Sequence, residues 1–71
     1  MKYEKFSDLF YSICEIKIYV VKLRGKELED YKKFFYNLNF PKWRLDLLWE
    51  FIWSDKTLDE ITRIFKSKKL I

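Results

Sequence analysis

The chain contains no histidine, and only one cysteine, one glycine and one proline among its 71 residues. Each shortage removes a class of chemistry. Without His, the Ser-His and Cys-His pairs that activate nucleophiles cannot be assembled. A lone Cys14 permits no internal disulfide, and with no His beside it the ordinary Cys/His zinc sites are excluded. One glycine cannot build a phosphate-cradling loop. No run of about 18 apolar residues occurs, so no membrane span is expected. The first ten residues carry Glu4 and Asp8 where a signal peptide needs a continuous apolar stretch. An unpaired cysteine and no export signal point to the cytoplasm. Asp46 and Glu50, one helical turn apart, leave a paired-carboxylate mechanism formally open, but nothing else in the sequence shapes a pocket around them. The composition argues against an enzyme and asks for no cofactor or metal.

What the chain has in abundance is rings: seven Phe, five Tyr and three Trp, nine of them between Tyr31 and Trp53. Each can bury roughly 150–250 Å². A single small domain spanning residues 1–71, near the lower limit for independent folding, cannot bury them all, so some are expected to meet a partner. The balance of 49% apolar and 37% charged residues is that of a patterned globular domain and not of a disordered chain. Richness in Lys, Phe, Tyr and Ile resembles the output of an AT-rich genome, as in a low-GC bacterium or its phage. The net charge of +4 is unevenly spread. Residues 26–53 balance to zero, whereas from Arg63 onward the cations Arg63, Lys66, Lys68 and Lys69 face no acid. These four read either as a phosphate-binding tail or as the cations that favour a helix C-terminus.

The local pattern suggests an α+β domain, with one or two short strands and three or four helices. Phe6, Leu9, Phe10 and Ile13 have helical spacing, predicting a short helix over 6–13 capped by Ser7 or Asp8. Residues 14–23 read as a strand. They are dense in β-branched Ile16, Ile18, Val20 and Val21, and Cys14, Ile16, Ile18 and Val20 alternate with polar neighbours. Such a strand needs a pairing partner, so a homodimer joined through 14–23 is one expectation. Residues 27–38 predict a helix with Leu28, Tyr31, Phe34, Phe35 and Leu38 on one face, a Glu29–Lys33 pair outside, and Asn39 and Pro41 ending it. The next helix, 43–53, carries Leu45, Leu48, Trp49 and Ile52 on one face and Leu47 and Phe51 off it. It should therefore lie either at the centre of the core or half in an interface. Thr57 and Glu60 form a capping box for a helix over 58–68, with Leu58, Ile61, Ile64 and Phe65 as its buried stripe.

Trp43, Asp46, Glu50 and Trp53 fall on one stripe of the 43–53 helix. Tryptophan is enriched at binding hot spots and flanking carboxylates steer basic partners, so this stripe, with Trp49 beside it, is the candidate partner-binding surface. The bland alternative is a solvated polar stripe offset by Lys42 and Arg44, with the tryptophans folded into the core.

The run Leu45-Asp46-Leu47-Leu48-Trp49-Glu50 resembles the L-D-A-L-W-D helix of barstar-type ribonuclease inhibitors. Upstream, a predicted strand, then Arg24-Gly25-Lys26-Glu27-Leu28, a helix, and Leu38-Asn39-Phe40-Pro41 follow the family's order. The resemblance covers residues 16–52. It implies an inhibitor that plugs a nuclease active site with helix carboxylates. Asp46 and Glu50 would match the acidic pair, Trp49 the family's tryptophan, and Trp43 its loop aromatic. The sequence departs from the family in lacking the G-x-N segment before the helix and the later strands, and in its positive net charge. The leading reading is a small protein-binding inhibitor, of antitoxin or phage/plasmid anti-defence type, that occludes a larger enzyme. The alternative is a small nucleic-acid-binding or transcription-regulating protein using Arg63, Lys66, Lys68 and Lys69. On that reading Ser54 to Leu70 resembles the opening of a helix-turn-helix whose recognition helix is truncated.

Overall fold

Four helices form in the computed structural model, which describes residues 3–71: α1 (Phe6–Val20), α2 (Gly25–Tyr36), α3 (Lys42–Ile52) and α4 (Leu58–Ser67). No strand occurs among the described residues, so the α+β expectation is corrected to an all-helical domain. The correction lies in the 14–23 segment. Helix α1 runs on from Ile13 to Val20, because the inward positions Phe6, Leu9, Phe10, Ile13 and Val20 keep one helical period throughout. β-Branched residues cost well under 1 kcal/mol each in a helix, and extending a nucleated helix gains one hydrogen bond per residue. A strand with no partner would instead leave its backbone groups unpaired. The homodimer expected through a 14–23 strand loses its basis, since that backbone is already bonded within the helix. Neither Ser7 nor Asp8 caps α1. Lys5 occupies the cap position without a side-chain hydrogen bond, and Asp8 sits in the first turn, where it complements the helix dipole.

The other helices keep their expected place with shifted ends. Helix α2 starts at Gly25, whose φ of +59° is left-handed. It stops at Tyr36, because the Asn37 side chain donates to the Lys33 carbonyl at 2.8 Å and closes the last turn. Glu29 and Lys33 make no ion pair; the described pair is Lys42–Asp46. At α4 the expected cap is present, Thr57 Oγ1 accepting from the Glu60 backbone N–H at 3.2 Å. The far end of α4 closes with Lys69 left-handed (φ 60°) and the Leu70 N–H bonded to the Phe65 carbonyl at 3.0 Å. This turn buries Leu70, the apolar contact that accompanies such caps.

Two aromatic groups hold the helices together, and α3 belongs to both. On one side Phe10 of α1, Phe51 of α3 and Phe65 of α4 meet, with ring centroids 4.9 Å apart for Phe10–Phe65 and 5.8 Å for Phe10–Phe51. Phe6 adds a stacked contact with Phe65 and an edge contact with Phe40. On the other side Trp49 of α3 packs against Tyr31, Phe35 and Tyr36 of α2 at 5.3–6.2 Å. At about 100° per residue, Trp49 and Phe51 point to nearly opposite sides of α3. Leu45, Leu48 and Ile52 fill the sector between them and are fully buried. The radius of gyration, 11.8 Å, is close to the roughly 11 Å of a close-packed chain of this length. Two expected core residues stay outside, Phe34 on α2 and Leu58 on α4, both exposed. No described helix is long and apolar enough to cross a membrane.

The two left-handed residues make opposite predictions. No atom lies within 4 Å of a Cβ added at Gly25, so Gly25→Ala should cost only the backbone strain, about 1–2 kcal/mol. Lys69→Gly should relieve the same strain and stabilise the chain by up to about 1 kcal/mol. Urea unfolding midpoints moving in opposite directions would confirm both; a shift of the same sign would contradict the backbone account.

Candidate functional site

The stripe expected on α3 lies on the sector of that helix that neither aromatic group covers. Trp43 at its start and Trp53 just past its end are 54% and 41% exposed, far above what rings of that size show in a core. Between them, Glu50 is exposed and makes no described ion pair. Asp46 is half-exposed and already engaged. Its Oδ1 accepts from the Tyr36 hydroxyl at 2.7 Å, and its Oδ2 lies 3.4 Å from the Lys42 ammonium. Trp49 is half-buried as the joint to α2, with Trp53 edge-on at 5.8 Å and the Lys32 ammonium 5.9 Å from its ring centre. Of the five residues singled out, Trp43, Glu50 and Trp53 thus present free surface, Asp46 is held in place, and Trp49 serves mainly as structure.

Two further residues shape this face: Tyr36, which the sequence pattern did not point to, and Arg44, expected there only as a charge offset. Tyr36 orients Asp46 from across the α2–α3 loop. Arg44 lies with its guanidinium 5.5 Å from the Phe6 ring centre and 5.3 Å from that of Trp43, and its buried Nε has no hydrogen-bond partner. Arg44 thus braces Trp43 from the protein side by a cation–π contact and leaves the rest of the indole open.

The Tyr36–Asp46 bond ties two titrations together. Burial, then the hydrogen bond to Asp46, then the charges of Asp46 and Glu50 push the Tyr36 hydroxyl up from 10.0 to about 12. The same bond, helped by Lys42, holds the Asp46 carboxyl below its ordinary range. The arrangement keeps Asp46 charged and Tyr36 protonated across physiological pH. It provides a charged acceptor held in a fixed orientation.

The basic residues occupy a different place. Arg63 and Lys66 are exposed one turn apart near the end of α4, and Lys68 and Lys69 form its cap. They surround a helix C-terminus, where the dipole alone favours cations. Cys14 is half-buried beside Lys17, and burial raises its thiol above the ordinary value in spite of that lysine, the opposite of an activated cysteine.

Tyr36 should be the last tyrosine to ionise in an alkaline absorbance titration, with Asp46→Asn lowering its apparent pKa. Because the folded value lies above the unfolded one, its contribution to stability is complete below pH 10 and is lost as pH rises towards 12. Asp46 behaves inversely: its contribution is present above its ordinary value of 3.8 and is lost as pH falls through the lowered folded value. An unmoved Tyr36 titration in Asp46→Asn would remove the coupling. No protein-family model, curated protein or solved structure matches the chain.

Proposed function

We propose that the chain is a protein-binding module that acts through the outer face of α3, inhibiting a larger enzyme by occluding it. The observation that carries this reading is the pair of exposed tryptophans, Trp43 and Trp53, bracketing Glu50, which has no ion-pair partner among the described residues, on one helix face. Two indoles supply large, stiff contact area, and a free carboxylate between them selects a basic counterpart. Asp46 contributes a second carboxylate in a fixed orientation. Its pair with the exposed Lys42 is of the surface kind, worth little, so an incoming arginine can displace Lys42 while Tyr36 keeps the carboxylate aimed. The likeness of residues 45–50 to the inhibitory helix of barstar-type proteins adds a class of target, a nuclease with a cationic active site. A cytoplasmic antitoxin or phage anti-defence protein belongs to the same proposal. It draws on the lone cysteine and on the small size for this part.

The competing reading is nucleic-acid binding through Arg63, Lys66, Lys68 and Lys69, which are exposed at one end of α4. Four phosphate contacts would give a log–log salt slope of about −3 to −4, whereas a protein interface centred on tryptophan depends on salt far less.

Affinity capture from a host lysate, with and without nuclease treatment, should recover one stoichiometric protein in both arms. For that protein, Trp43→Ala and Trp53→Ala should each weaken binding about tenfold or more. Glu50→Lys should do so without altering the unfolding midpoint, and reversing Lys66 and Lys68 to Glu should have no effect. Unchanged affinity in both tryptophan variants, or capture lost on nuclease treatment, would overturn the proposal.

A further inference from the structure

Helix α1 is apolar on two sides, and its own domain covers one of them. Inward lie Phe6, Leu9, Phe10, Ile13 and Val20. Outward, Ile18 and Tyr19 are 59% and 68% exposed, with Tyr11 exposed two turns earlier on the same stripe. The outward stripe thus mixes large exposed apolar side chains with charges, a composition suited to a small protein interface. An open cleft of about 410 Å³ adjoins Ile18, with Val21 and Leu58 as its apolar walls and Lys17 and Lys56 at its edge.

The charges on the stripe say what the occupant is. Asp8, Glu15 and Lys22 are exposed along it, the described ion pair of the molecule involves none of them, and Asp8 lies a further two turns from the Ile18–Tyr19 centre, where an antiparallel copy of α1 has already ended. Past the end of α1 the Lys22 N–H bonds to the Tyr19 carbonyl and the Leu23 N–H to the Val20 carbonyl, at 3.1 and 3.0 Å. The helical winding therefore continues far enough to keep Lys22 on the face of Tyr11, Glu15 and Ile18. Positions 15 and 22 are equidistant from the point between 18 and 19. Two copies of α1 laid antiparallel about that point place each Glu15 opposite Lys22 of the other copy, with Ile18 and Tyr19 packed between. A parallel pair would set Glu15 against Glu15 and Lys22 against Lys22. The pattern is thus self-complementary under one twofold arrangement, the requirement of an isologous interface.

We propose that the outer face of α1 is a self-association surface, on which a second copy of this chain docks antiparallel across Ile18, with Glu15 and Lys22 exchanging ion pairs. The pairing uses side chains alone. It is independent of the α3 face, because the two helices pack on each other through Phe10 and Phe51 on their inner sides. A 15-residue helix offers a contact about 22 Å long, which belongs to the small, weak class of interfaces. Dimers should accordingly form at tens to hundreds of micromolar.

Sedimentation velocity at low salt, on the full chain from about 10 µM to 1 mM, should show a monomer–dimer equilibrium. Ile18→Gln should abolish it while circular dichroism shows the fold retained. Glu15→Lys and Lys22→Glu, each alone, should weaken it about threefold or more through like-charge contacts. An equimolar mixture of those two variants should recover wild-type association, because each mixed pair again opposes unlike charges. A chain that stays monomeric to 1 mM, association unaffected by Ile18→Gln, or a mixture no better than its components would each overturn the proposal.

Discussion

Helix α3 must bury rings on two nearly opposite sides, and the arrangement of the molecule follows from that constraint. Phe51 requires an apolar partner on one side and finds Phe10 and Phe65, which fixes α1 and α4 there. Trp49 requires one on the other and finds Phe35, with Tyr31 and Tyr36 around it, which fixes α2. Each side involves aromatic burial worth several kcal/mol if truncated, a large share of the stability available to a domain of this size. The sector of α3 between the two groups on the core side is closed by Leu45, Leu48 and Ile52. What remains is a single outward stripe, and its residues are Trp43, Asp46, Glu50 and Trp53. The candidate site is therefore the one face that the packing of α3 leaves free.

The chemistry of that face follows its anchoring. Asp46 is aimed by Tyr36, a residue of the helix that Trp49 holds in place, so the second carboxylate of the stripe is set by the α2–α3 packing. Trp43 is braced by an arginine whose charge lies against rings and not against an acid. Both arrangements reduce the side-chain freedom that binding would otherwise have to remove.

The features legible in the sequence were those set by local interactions. The capping box at Thr57 and Glu60 spans four residues, and its hydrogen bond forms as expected. The two-sided apolar character of 43–53 could be read from spacing alone, and α3 does lie at the centre. The second half of α1 was not legible, because alternation over 14–20 and helical spacing from Phe6 onward both fit the same residues. The decision came from long-range packing and from the lack of a strand partner, and neither has a local signature. Phe34 and Leu58 stand at apolar spacing yet remain exposed, since a periodic stripe gives a direction and not the width of the neighbour that meets it. Tyr36 escaped notice because its bond to Asp46 joins positions ten apart across a turn.

All three tryptophans lie on or just beyond α3, and two of them flank its outer stripe. The intrinsic fluorescence of the chain is therefore the signal of a single helix. It senses the α2–α3 joint through Trp49 and the solvent through Trp43 and Trp53, and it carries little from α1 or α4. Emission and far-ultraviolet dichroism consequently observe different parts of the molecule, one helix against four. Whether their unfolding curves coincide is the standard by which the two aromatic groups count as one cooperative unit.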